Sequence, residues 1–170
     1  CGHITKEIFS VNKVLKTYFF RALLISLMPK EQDNGDRVIT IPRLPKGINV
    51  EALIIRTVPN SKQKFTQNYA ETNPPFLALE GIKVLNEHGI KHLLLDLPSV
   101  DKEKDGGELA FHHSFWEVPQ NNRLDRTITE LIFVDDATQD GEYILELQLA
   151  PFENDASPSR PVLYTISTIN

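Results

Sequence analysis

The stretch "FLALEGIKVLNEHGIKHLLLDLPS" (Phe76–Ser99) reads as a helix that stops at a glycine and passes directly into a buried strand. Pro74 and Pro75 open the helix, and Leu77, Ile82, Val84 and Leu85 supply its apolar face. Gly89 ends it, because glycine accepts the left-handed backbone that closes a helix. The strand is expected over Lys91–Ser99. Upstream, "EALIIRTV" (Glu51–Val58) is a nearly continuous apolar run, the pattern of a strand covered on both faces. Strand, helix and strand in that order predict a right-handed parallel crossover, and with it an α/β fold.

Working outward, "FFRALLISL" (Phe19–Leu27) is another buried strand, followed by the polar turn "KEQDNGDRV" with Asn34-Gly35. After the charged loop "DKEKDGG", the segment around "AFHHSFW" is expected to be a short helix. "TITELIFV" (Thr127–Val134) and "EYILELQLAPF" (Glu142–Phe152) read as strands, and Asp140-Gly141 between them predicts an antiparallel hairpin. "RPVLYTIS" (Arg160–Ser167) is a last strand. The expectation is a mixed β-sheet with flanking helices, in a single domain spanning residues 1–170.

A chain of 170 residues is long enough to bury a substantial core. Its net charge of −5, with no Lys/Arg cluster, argues against nucleic acid as a partner. Cys1 is the one cysteine, which excludes an intrachain disulfide and a Cys-rich zinc module and is compatible with a reducing compartment. The longest apolar run, "YFFRALLISLM" (Tyr18–Met28), is interrupted by Arg21 and falls short of the roughly 20 residues a membrane helix needs. A cytoplasmic protein without a membrane partner is expected. Because the first residue is Cys1 rather than methionine, the chain is also expected to start inside a longer gene product.

The chemistry-bearing residues gather late in the sequence. His112 and His113 stand side by side before an aromatic pair, and Glu130 sits inside an apolar strand. Strict alternation puts Glu130 on one face with Ile128 and Ile132, an unusual place for a solvated acid. Imidazole and carboxylate together suit zinc, manganese or iron. The plainer alternative is a satisfied histidine and a strand acid facing water. Asp96 and Asp101, in "DLPSVD" at the carboxyl end of a parallel strand, lie where open α/β sheets bind ligands. Asp101 reads better as part of a helix-capping loop, a role Ser99 would serve equally well, and Asp96 stays open between the two roles. Arg56, with Thr57 at the end of "ALIIRT", either clamps a carboxylate or pairs with an acid at the core edge. His88 and His92 read as structural. No Gly-rich phosphate loop, nucleophile elbow or Cys-His pairing is present.

The order "IIRT", "HLLLDLPSVD", "HHSFW", "TITELIF", "LQLAPFENDASPSRPVLY" resembles the cyclase family that includes bacterial kynurenine formamidase. The resemblance covers nearly the whole chain and rests on the order and spacing of its motifs. That family carries His-x-Gly-Thr-His-x-Asp-x-Pro-x-His, and "CGHI" looks like the tail of this motif. Cys1 would stand at the proline position and His3 at the final histidine; the earlier motif residues would lie upstream of Cys1.

The resemblance implies a swivelling β/β/α-type domain, a homodimer or larger homo-oligomer, and one or two divalent ions, with zinc favoured over manganese and no organic cofactor. It implies His112 and Glu130 as metal ligands. His112 is preferred to His113 because the family ligand stands three residues before a large apolar residue, here Phe115. His3 would be the acid–base group. The implied reaction is hydrolysis of N-formylkynurenine, a small-molecule amide, to kynurenine and formate. The alternatives are a hydrolase of another cyclic amide or lactone, or a non-catalytic binding relative that has lost the metal. With the upstream motif absent, this segment by itself is expected to be inactive.

Overall fold

The computed structural model describes residues 4–5 and 9–167. It opens with a single helical turn, α1 (Val11–Val14), capped by the Ser10 hydroxyl, and continues into strand β1 (Phe19–Leu27). A hairpin follows, β2 (Lys30–Glu31) and β3 (Arg37–Ile39), and then β4 (Ala52–Thr57). β5 (Phe76–Leu77), α2 (Gly81–Glu87), β6 (His92–Leu95), α3 (Ala110–Trp116) and β7 (Thr127–Thr129) form the middle of the chain. β8 (Gly141–Leu149) and β9 (Ser159–Thr165) complete it.

Six strands form the main sheet in the order β7-β6-β4-β1-β8-β9; β2, β3 and β5 form a small second sheet. β7, β6, β4 and β1 run parallel to one another, whereas β8 and β9 are antiparallel additions beyond β1. The fold is therefore α/β with a mixed sheet, as the sequence predicts. Every residue of β4 and β6 is buried, which explains their unbroken apolar runs.

Alternate residues of these strands feed two separate cores. Leu23, Leu53, Ile55, Leu93 and Leu95 pack on the helix side with Leu85, Phe111, Phe115 and Trp116. Phe20, Leu24, Ile54 and Leu94 face the other way, toward Val134, Leu145 and Leu147. Among the described residues no helix is long and apolar enough to cross a membrane.

Two expectations are corrected. The helix does not begin after Pro75, because Phe76 and Leu77 pair in parallel with Val38 and Ile39 and extend the small sheet. It begins at Gly81, where an added Cβ would stand 2.9 Å from the Ile41 side chain, so helix and loop can approach this closely only over a glycine. Its end is as expected: Gly89 takes a left-handed φ of 66°. The second correction is the hairpin, because the two strands expected to form it are not neighbours. β7 pairs in parallel with β6, and β8 pairs with β1 and β9. Asp140 does not serve a tight turn between the two. Its carboxylate accepts the Ser26 N–H at 2.7 Å and a guanidinium N–H of Arg56 at 3.0 Å, tying the connecting loop to the sheet.

Candidate metal centre

α3 and the start of β7 are held together by two aromatic latches. The Trp116 indole N–H donates to the Arg126 carbonyl at 3.0 Å. In return, the Arg126 guanidinium donates to the Phe115 carbonyl at 2.6 Å and lies over the Phe115 ring, 5.2 Å from its centroid. The start of β7 is thereby fixed against the last turn of α3. The strand then runs in register with β6, Leu93 opposite Ile128 and Leu94 opposite Thr129, and Glu130 follows as the first residue beyond the paired stretch.

Here the expected alternation breaks. Ile128 packs into the helix-side core, as a partner of Glu130 should, but Ile132 packs into the opposite core. The cause is Leu131, whose φ of 56° turns the chain. Glu130 shares a face with one isoleucine rather than two.

The structure brings His112 and Glu130 together. His112 is buried, and its Nε2 lies 3.7 Å from the Glu130 Oε1. Neighbouring His113 is only partly buried, and the helix carries it away from this contact. The other ring nitrogen of His112, Nδ1, lies 2.5 Å from Asp101 Oδ2. Asp101 also accepts the backbone N–H groups of Phe111 at 2.7 Å and His112 at 3.1 Å. It is the capping acid the sequence suggests, but it caps a helix ten residues away and also grips the imidazole. That second role has no signal in the sequence, because the grip depends on the loop 102–109 folding back.

Burial drives the Glu130 carboxyl above its ordinary range. The His112 ring and a hydrogen bond from the Val100 backbone pull it down, and Asp101 pushes it further up. Burial also pushes Asp101 up, but there the hydrogen bonds from the His112 ring and from the Phe111 and His112 backbones outweigh it, so Asp101 ends below the usual carboxylate value. Glu130 Oε1 is buried and has no hydrogen-bond partner among the described residues.

These atoms suit a divalent ion. Two ligands about 2.0–2.2 Å from one tetrahedral ion stand roughly 3.3–3.6 Å apart, and the observed separation is 3.7 Å. The donor set is incomplete, however: among the described residues no group of three or more His, Cys, Asp or Glu is placed to hold an ion. His3 lies outside the described residues. A largely apolar cavity of about 390 Å³ adjoins Glu130, lined by Val11, Val14, Trp116, Leu131 and Leu147 among others.

The remaining candidates take structural places. Asp96 accepts the Thr57 N–H and pairs with Lys64 at 2.7 Å. Arg56 pairs with an acid at the core edge, Asp140. His88 follows the end of α2, and His92 is buried against Phe20 with its Nδ1 2.9 Å from the Thr127 hydroxyl.

The Cyclase family model matches residues 1–102. The chain belongs to the Cyclase family. Relatives of this Cyclase chain include a kynurenine formamidase from Bacillus cytotoxicus, 34% identical over 116 residues, covering 67% of this chain and 49% of that protein. The Cyclase chain thus spans about half the length of that relative. Among solved structures, one described as a potential metal-dependent hydrolase with cyclase activity superposes with a TM-score of 0.68 at 16% identity, covering 95% of this chain and 73% of the other. A second, a predicted metal-dependent hydrolase from Bacillus stearothermophilus, gives 0.55 at 15% identity, over 85% of this chain and 62% of that one. At these identities the two structures speak for the Cyclase fold.

Proposed function

We propose that this chain belongs to a metal-dependent amide hydrolase acting on an aryl formamide, with N-formylkynurenine as the substrate and kynurenine and formate as products. The observation that carries the reading is the buried Glu130 Oε1, which has no hydrogen-bond partner among the described residues and faces His112 Nε2 at 3.7 Å. A buried carboxylate oxygen of that kind is costly unless a cation answers it. The kinship with kynurenine formamidase supports the choice of substrate, and the apolar cavity beside Glu130 has the chemistry to seat an aryl ring.

A divalent ion held by His112 and Glu130 would supply Lewis-acid polarisation of the formyl carbonyl and activation of water. The residues supply the rest. Glu130 and His112 contribute lone pairs, and the apolar wall around them strengthens every charge interaction at the reacting centre. Hydrolysis breaks the formamide C–N bond, with water adding OH to the carbon and a proton going to the nitrogen. His3 is assigned to deliver that proton, a task suited to an imidazole. By resemblance, the remaining ligands lie upstream of Cys1.

The test is a formamide hydrolysis assay, with zinc or manganese added, on this chain and on a polypeptide carrying the upstream histidine motif. Turnover is expected in the longer protein and negligible in this chain. Equal turnover in both would defeat the mechanism. Within the longer protein, Glu130→Ala is expected to lower activity and bound metal by roughly 100-fold or more, and His112→Ala likewise, whereas His113→Ala costs less than about tenfold. Equal losses at the two histidines would reject the choice between them.

A further inference from the structure

We infer that Asp101 is a positioning residue, which holds the His112 imidazole as its Nδ1–H tautomer and aims Nε2 at Glu130. The inference deepens the metal-site reading and takes its purpose from it. Its geometry is independent of any ion.

Both Asp101 oxygens already accept a backbone N–H, Oδ1 from Phe111 at 2.7 Å and Oδ2 from His112 at 3.1 Å. Two backbone N–H groups aimed at the two oxygens favour the ionised carboxylate, which can only accept. The proton in the 2.5 Å contact between Oδ2 and His112 Nδ1 therefore belongs to the ring. In a neutral imidazole that leaves Nε2 as a lone pair, directed at Glu130. The ring cannot readily turn away. Its own backbone N–H is bound to the same carboxylate, and Trp116 lies beside it with ring centroids 5.3 Å apart. A flip would place a C–H against the carboxylate. Fixing tautomer and orientation through the far nitrogen is what an outer carboxylate does for a ligating histidine.

A mere helix-capping role would leave the tautomer unset, and this separates the two accounts. The experiment is two-bond ¹H–¹⁵N spectroscopy of the metal-free, ¹⁵N-labelled chain at pH 8, with titration by zinc alone of the longer polypeptide that carries the upstream histidine motif. The wild-type chain should show His112 protonated at Nδ1 and bare at Nε2. Asp101→Asn, which presents an amide N–H₂ on one side, should gain the Nε2–H form and lose about 10- to 100-fold in zinc affinity while circular dichroism shows the helices intact. An Nε2–H or doubly protonated ring in the wild type overturns the inference, as does an Asp101→Asn chain with unchanged tautomer and affinity. If Asp101→Asn unfolds, the wild-type spectrum decides alone. If the wild type shows the Nδ1–H ring yet the longer polypeptide binds no zinc, the positioning role stands and the metal reading falls.

Discussion

Asp96 and Glu130 are carboxylates at equivalent places, each the first residue beyond a parallel strand, β6 and β7, which lie side by side. Their surroundings differ. The Asp96 side chain is fully buried, and both its oxygens are answered: the Thr57 N–H lies 3.1 and 2.9 Å from them, and the Lys64 ammonium 2.7 Å from one. Lys64 in turn donates to Thr57 and Asn60, so the cluster closes on itself. Glu130 has a backbone donor at Val100 and a histidine at 3.7 Å, with one oxygen left without a hydrogen bond among the described residues. A closed set of partners makes an acid part of the fold; an open lone pair beside an imidazole makes it available to a ligand.

Substitution should separate the two acids sharply. Asp96→Ala leaves the half-buried Lys64 without its counter-charge and is expected to cost about 3 kcal/mol in urea unfolding. Glu130→Gln is expected to leave metal-free stability unchanged, or to raise it by up to about 1 kcal/mol, at pH 7. The sign follows from the raised Glu130 carboxyl: its favourable contribution is present below the ordinary carboxylate range and lost as pH rises through the elevated value, so the ionised form is a cost that Gln removes. A large loss from Glu130→Gln would erase the distinction.

A smaller effect should come from His92, at the other end of β6. Burial lowers its pKa from 6.5 to about 4, against the pull of Glu51 and Asp125. The unfolded chain then binds a proton that the folded one refuses. Stability should hold above about pH 6.5 and fall by up to about 3 kcal/mol as pH drops toward 4. Comparing urea midpoints of wild type and His92→Phe across that window isolates the effect, since the carboxylates contribute equally to both. A parallel pair of curves would show that His92 titrates normally.

The smallest effect should come at Leu131. Its left-handed φ of 56° is a conformation that costs a branched side chain roughly 1–2 kcal/mol, and the side chain is exposed. Leu131→Gly should therefore be neutral or stabilising by up to about 1 kcal/mol in thermal melts, tying the backbone strain to the side of the sheet that carries Glu130.

Much of this was legible in the residues. The unbroken apolar runs of β4 and β6 announce strands covered on both faces, and Gly89 marks the end of α2. The pairing of His112 with Glu130 was suggested by residue type and by resemblance. Legibility failed where long-range geometry decides. Nothing local shows that Phe76–Leu77 would join Val38–Ile39 instead of opening a helix, or that β7 would pair with β6 rather than with β8. The turn at Leu131 is also invisible, because leucine carries no signal for a positive φ, and it moves Ile132 to the opposite core. Asp101 shows its grip on His112 only when the intervening loop is folded.

The segment "DDATQDG" (residues 135–141) is by composition an inviting place for a protease, polar and turn-rich. Yet Arg56, rooted in β4, donates to the carbonyls of Asp135 and Thr138 at 2.8 and 2.9 Å and to the Asp140 carboxylate at 3.0 Å. A protease must draw its target out into an extended strand, and here that means tearing three bonds from one rigid, permanently charged fork. The loop that looks most cleavable is thereby sheltered by a side chain anchored in the middle of the sheet.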